Sequence, residues 1–148
     1  HRCLKLVNIE LPQGLVLIKI NAFDSCVCLR TISIPRSVEE IEEFAFSACR
    51  SLIELTFQEG IKTIGVRACK GCSELCVVAF PLSLEWVRDG AFADCHSLLG
   101  VEIPTNATVA LDEECFDSCE SLVNISIPSS CDYVASDILE GSDLVEDE

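Results

Sequence analysis

The chain has 148 residues, enough for one domain with a substantial core. Ten Lys and Arg against 25 Asp and Glu leave a net charge of −15, which excludes a nucleic-acid backbone as partner because that needs clustered bases. An apolar fraction of 49% excludes an acidic disordered chain, and no apolar run reaches the ~18 residues of a membrane-spanning helix. With 11 Cys and no Met, the chain is expected to be a fragment or a processed piece of a longer protein, so a missing leader says nothing about destination. A disulfide framework is the first idea the Cys count raises, and spacing has to test it.

The chain opens on Cys3-Leu4-Lys5-Leu6, the tail of one repeat, and six units follow, 6–28, 29–51, 52–74, 75–97, 98–121 and 122–144, led by Leu6, Leu29, Leu52, Leu75, Leu98 and Leu122. In the first unit, Ile9 and Leu11 alternate with polar residues as in a short half-buried strand, and Pro12 ends it because proline cannot donate to a ladder. The second, LRTISIPRSVEEIEEFAFSACRS, repeats the plan with Ile32, Ile34, Pro35, Ile41, Ala45-Phe46 and Cys49. The third has Leu55 and Phe57, then Glu59-Gly60 where Pro is missing, and Cys69 in place of Phe. The fourth restores Pro81 and Ala91-Phe92. The fifth, with Pro104 and Cys115-Phe116, gains one residue near Asn106-Ala107-Thr108. The sixth keeps Ile125, Ile127 and Pro128 and then degenerates to Ile138-Leu139 where Ala-Phe is expected. Residues 146–148 read as an acidic frayed end.

One such coil cannot bury its own apolar face, whereas stacked coils can. The expected fold is an α/β solenoid over 1–145: a right-handed superhelix of 23-residue units, with parallel strands on the concave face and short helical or 3-10 turns around Ala-Phe on the other side. The pattern LxxIxIPxxVxxIxxxAFxxCxxL resembles the BspA-like (Treponema pallidum-type) leucine-rich repeat, over nearly the whole chain. The resemblance implies cell-surface adhesion or binding to host or matrix proteins.

The period also sorts the cysteines. Cys3, Cys26, Cys49, Cys72, Cys95 and Cys119 recur at one repeat position and form a structural column of buried thiols. Each thiol can bond unpaired backbone of the turn. Pairing them as disulfides has no preferred partner, since every member has two equivalent neighbours. Cys69-Lys70-Gly71-Cys72 is a Cys-x-x-Cys, but both cysteines occupy core positions, no second such motif exists and the two His are His1 and His96. A metal or redox site is therefore the weakest reading, and no cofactor is expected. Carboxylates such as Glu39, Glu40, Glu42 and Glu43 lie on solvated positions, and no nucleophile–base pattern has supporting context, so the chain is read as no enzyme.

What remains is a binding surface for a protein ligand. The outward strand positions are Val7, Asn8, Glu10; Arg30, Thr31, Ser33; Ile53, Glu54, Thr56; Cys76, Val77, Ala79; Leu99, Gly100, Glu102; and Val123, Asn124, Ser126. From these and the residues beside them, Asn8, Glu10, Arg30, Thr31, Ser33, Arg36, Glu54, Thr56, Val77, Ala79, Leu82, Leu99, Glu102, Asn124 and Ser126 are the candidate contacts on the concave face. Val77, Ala79, Leu82 and Leu99 with Cys76 form an uncharged patch, unless the first position after each lead Leu is tucked inward. Trp86 and Tyr133 are expected near the surface. Asn106 and Asn124 head sequons that fit glycan acceptors if the chain is secreted by a eukaryote. A column of free thiols points to a reducing compartment, and surface display follows from the resemblance, so an intracellular scaffold using the same face stands as the alternative. Further repeats in the parent chain are expected.

Overall fold

The computed structural model describes residues 3–126. Two kinds of strand alternate along them: β1 (Leu17–Ile18), β2 (Thr31–Ile34), β3 (Glu40–Ile41), β4 (Glu54–Phe57), β5 (Thr63–Ile64), β6 (Val77–Ala79), β7 (Trp86–Val87), β8 (Gly100–Glu102), β9 (Ala110–Leu111) and β10 (Asn124–Ser126). The even-numbered strands carry the Ile-x-Ile alternation and form a five-stranded parallel sheet in the order β10-β8-β6-β4-β2. Within β2, Ile32 and Ile34 are buried while Thr31 and Ser33 face out. The odd-numbered strands form a second parallel sheet, β1-β3-β5-β7-β9, from the Val or Ile twelve residues after the lead Leu, with Leu111 thirteen after it in the fifth unit. The sequence reading placed one strand in each unit. The structure therefore adds a second ladder that two-residue strands are too short to announce by alternation.

The registers reproduce the repeat. Thr31 lies opposite Glu54, Glu54 opposite Val77 and Val77 opposite Gly100. The extra residue of the fifth unit shifts the next pair to Gly100 and Asn124. Leu111 lies opposite Val87, so the insertion is absorbed between β8 and β9 and leaves both ladders intact. The lead residues Leu29, Leu52, Leu75 and Leu98 are fully buried. Each contributes about 1.5–3 kcal/mol by leaving water.

The Ala-Phe corners are where the structure differs most from expectation. Among the described residues none is helical. Instead Asn21, Phe44, Arg67, Gly90 and Glu114 have positive φ, and so do Ser25, Ala48, Gly71, Asp94 and Ser118 four residues later. Two left-handed residues bracketing each corner stop a right-handed helix from propagating. They also turn alternate N–H groups toward the next coil. Phe44, Phe46 and Ala48 donate to the carbonyls of Val66, Ala68 and Lys70 at 3.2, 2.7 and 2.8 Å, and Arg67, Cys69 and Gly71 donate to those of Asp89, Ala91 and Ala93 at 2.9, 2.7 and 2.8 Å. The corner is thus a third coil-to-coil ladder, with helical i→i−4 bonding replaced by bonding between coils.

The cysteine column completes that corner. The thiols of Cys49, Cys72, Cys95 and Cys119 donate to the carbonyls of Phe23, Phe46, Cys69 and Phe92 in the preceding coil, at 3.2 to 3.3 Å. The Phe23 and Phe46 carbonyls also accept the N–H of Cys26 and Cys49 in their own coil. These six column cysteines carry no disulfide. Cys26, Cys49, Cys72 and Cys95 are fully buried, Cys119 is half-buried and Cys3 is exposed. Phenylalanines stack beside the column, Phe23 on Phe46 at 5.1 Å and Phe92 on Phe116 at 5.8 Å between ring centres. Cys69 interrupts this stack. Phe57 and Phe80 replace the smaller Ile of other strands here, and Phe80 reaches to 5.8 Å from Phe92.

Two outcomes are expected. Gly60 (φ 139°) faces the Arg36 carbonyl oxygen so closely that a Cβ would sit 2.0 Å from it, whereas Gly14 (φ 97°) has nothing within 4 Å of that position. Gly14→Ala should cost about 1 kcal/mol from backbone strain alone and Gly60→Ala about 3 kcal/mol or more; equal losses in urea titrations would remove the close approach as the cause. Burial pushes the Cys49 thiol up to about 12 from an ordinary 9.0. Its protonated form is thus favoured by the fold, a contribution complete below pH 9.0 and lost as pH rises toward about 12. Cys49→Ala should flatten the fall in stability over that alkaline window, and an unchanged slope would contradict the assignment.

Candidate binding surface

The outward positions of the even-numbered sheet fall in three rows that run across the coils. Directly after the lead Leu come Val7, Arg30, Ile53, Cys76, Leu99 and Val123; the second row is Asn8, Thr31, Glu54, Val77, Gly100 and Asn124; the third is Glu10, Ser33, Thr56, Ala79, Glu102 and Ser126. All are exposed except Cys76 and Gly100, which are half-buried. In the first row, Ile53 is 45% exposed, Leu99 50% and Val123 57%, so this position is not tucked inward. Cys76 alone folds back, its thiol donating to the Glu74 carbonyl at 3.3 Å.

The rows divide the sheet into two chemically distinct halves. Over the first three coils lies an open depression of about 380 Å³, lined by Asn8, Glu10, Thr31, Ser33, Glu54 and Thr56 above Ile9 and Ile32. The structure thus brings six of the sequence-predicted residues into one place. Thr31 Oγ1 donates to Asn8 Oδ1 at 3.1 Å and ties the first two coils together across its floor. Over the later coils the first row and Val77 of the second become aliphatic, while Glu102, Asn124 and Ser126 keep polar groups at the far edge. Val77 and Ala79 of β6, Leu99 beside β8 and Val123 beside β10 are exposed, with side-chain-free Gly100 between Val77 and Asn124. Val7, Ile53 and Val123 were placed outward by the repeat without being singled out as contacts. Their signal in the sequence is the recurrence of an aliphatic residue directly after the lead Leu.

Loop residues beside the sheet are fixed from the neighbouring coil. The N–H groups of Leu82 and Ser83 donate to the two carboxylate oxygens of Glu59 at 3.0 and 2.9 Å, which holds half-exposed Leu82 at the rim. Arg36 is exposed, and its N–H donates to Gln58 Oε1 at 3.2 Å. Glu10, Glu54 and Glu102 face Arg30 alone among charged groups of the three rows. The two ion pairs among the described residues, Lys70–Asp94 at 3.4 Å and Arg88–Asp112 at 3.5 Å, lie elsewhere.

The remaining sequence-predicted residues are dispersed. Trp86 is 39% exposed in β7 of the second sheet, with the Arg88 guanidinium 4.3 Å from its ring centre. Asn106 is exposed beyond β8, and Asn124 is exposed within β10. Cys69 and Cys72 are both buried, and among the described residues no group of three or more His, Cys, Asp or Glu converges on a metal position. His96 Nδ1 lies 3.1 Å from the Ser118 carbonyl, while the Cys95 thiol bonds the Cys69 carbonyl, so these neighbours form no thiol–imidazole pair. Ser126 is the last described residue; Tyr133, Cys131 and the acidic segment from Asp137 to Glu148 lie outside the described residues.

The BspA type leucine rich repeat region matches this chain in six copies, over residues 1–110 and 54–146. A T. pallidum leucine-rich repeat protein of solved structure is 31% identical, with a TM-score of 0.82, over 90% of this chain and 62% of that one. A leucine-rich cell surface protein from Faecalibacterium prausnitzii is also 31% identical, with a TM-score of 0.75, over 87% of this chain and 32% of that one. The chain therefore spans less than two thirds of the length of either. No curated protein sequence matches it.

Because Val77 and Leu99 are about half exposed, their replacement removes little from the core. Val77→Ser and Leu99→Ser should each change stability by less than about 0.5 kcal/mol, against about 2–5 kcal/mol for Leu98→Ala one residue away. Thermal melts of the three variants check this, and a large loss in the first two would mean those side chains are structural.

Proposed function

As this chain belongs to the BspA-type leucine-rich repeat family, whose members are typically non-catalytic interaction modules, we propose that it binds a protein ligand on the outward face of the even-numbered sheet. The observation that carries this reading is the three-row face itself. Six coils contribute to it, its side chains differ from coil to coil while the inward ones repeat, and its apolar residues stand half in water. Repetition of the inward residues specifies the fold; variation of the outward ones leaves room to specify a partner. Solenoids use extended concave surfaces in this way.

Adhesion at a cell surface is the setting we favour, supported by the likeness to the F. prausnitzii leucine-rich cell surface protein. The unbridged column of thiols is the observation that favours a second setting, an intracellular scaffold using the same face. Both use the same binding chemistry and differ in compartment.

A photo-crosslinking amino acid placed at Val77 or Glu102 in the source cell should capture the same partner, and one placed at Glu39, directly before β3, should not. Capture only from Glu39 would move the binding surface to the other sheet. Brief protease treatment of intact source cells should degrade the chain if it is displayed; full protection would favour the scaffold.

A further inference from the structure

The face described above has a chemical polarity that narrows its partner. This step rests on that face being the binding surface. In the depression over the first three coils, the charged lining residues are Glu10 and Glu54, both exposed and neither in an ion pair among the described residues. Thr31, Ser33 and Thr56 add hydroxyls that can accept as well as donate hydrogen bonds. Two coils beyond Glu54 the surface is aliphatic at Leu99, with Val77 between them. Parallel strands lie about 4.8 Å apart, so Glu10 to Glu54 and Glu54 to Leu99 are steps of about 10 Å each across the strands. An extended chain covers about 3.3 Å per residue, so about three residues cross from Glu54 to the aliphatic end and about six from Glu10.

We propose that the partner is an extended protein segment with a Lys or Arg side chain seated between Glu10 and Glu54 and, three to six residues away, a bulky aliphatic or aromatic side chain on Val77 and Leu99. A base in the depression gains charge-assisted bonds from two carboxylates and meets their field unopposed within the lining. An acidic segment would meet like charge there, in a chain already at −15. Arg30, at the border of the depression, sets which side the base enters from: it repels a base approaching over the first row and leaves the third row, beside Glu10, open.

The test is selection from a phage-displayed library of random dodecapeptides on the complete chain. The expected binders carry Lys or Arg three to six residues from Leu, Ile or Phe. They weaken about tenfold with Glu10→Gln plus Glu54→Gln, weaken similarly with Val77→Ser plus Leu99→Ser, and lose affinity between low and physiological salt. Glu39→Gln plus Glu85→Gln, the same change of charge on exposed positions near the second sheet, should leave binding within about twofold. Binders that need Val77 and Leu99 but contain no base, or ignore Glu10 and Glu54, would overturn the basic partner while keeping the binding face. Binders indifferent to both pairs, or selection of none, would overturn the face and the partner together. Melting curves of each variant, expected unchanged, separate lost binding from lost fold.

Discussion

Every level of this molecule depends on one constraint: each coil must satisfy its backbone through its neighbours. A 23-residue turn of chain has too few inward residues to close a core and no long helix to pair its own N–H groups. It bonds to the next coil in three places, at two parallel ladders and at the corner. Those three contacts fix the register, and register alone determines which side chains point inward. A slip of one residue would put Thr31 and Ser33 inside and Ile32 and Ile34 in water. The inserted residue near Asn106 is tolerated because it falls between ladders, and Leu111 still meets Val87.

The corner shows how local strain and long-range bonding balance. A non-glycine residue with positive φ costs about 1 kcal/mol or more, and of the two left-handed positions in each corner only Gly71 and Gly90 are glycine, the rest being filled by residues as unlike as Phe44, Arg67 and Ala48. That cost is sustained because each left-handed residue from Asn21 to Asp94 directs a backbone N–H to the coil ahead. The thiol column acts on other carbonyls of the same corner, those of Phe23, Phe46, Cys69 and Phe92. The Phe46 oxygen, for instance, takes the Cys49 N–H from within its coil and the Cys72 S–H from the next. A small side chain with a weak donor fits there where a hydroxyl would be more strongly desolvated, which gives the recurrent cysteine a structural reason.

These physical reasons also separate what the sequence discloses from what it does not. The period, the inward residues of the even-numbered strands and the cysteine column were legible, because a buried position tolerates few residue types and repeats visibly. The corner's composition suggests a helical turn, and none is found among the described residues. Ala45-Phe46 preceded by Glu42-Glu43 has good helical composition, and Phe44 and Ala48 give no sign of left-handed backbone as glycine would. The second ladder went unseen because two residues cannot display an alternation. On the outward face the repeat located every row, yet the depression was not legible. It arises from short polar side chains on three successive strands, a juxtaposition that exists only once the register is set.

The third and fourth coils show how far a repeat can bend before its surface changes. Cys69 leaves a gap in the phenylalanine stack, and the same coils carry Phe57 and Phe80 where others carry leucine or isoleucine, with Phe80 leaning to within 5.8 Å of Phe92. A smaller side chain at the corner is thus accompanied by larger ones on the sheet side, in keeping with the close packing that interiors require. This exchange is confined to inward positions, so it leaves the outer rows free to change independently. It is in these same coils that the outward face turns from Glu54 and Thr56 to Val77 and Ala79. The interior compensates locally to keep the ladder continuous, and a continuous ladder is what allows a carboxylate-lined depression and an aliphatic patch to be held a fixed two coils apart.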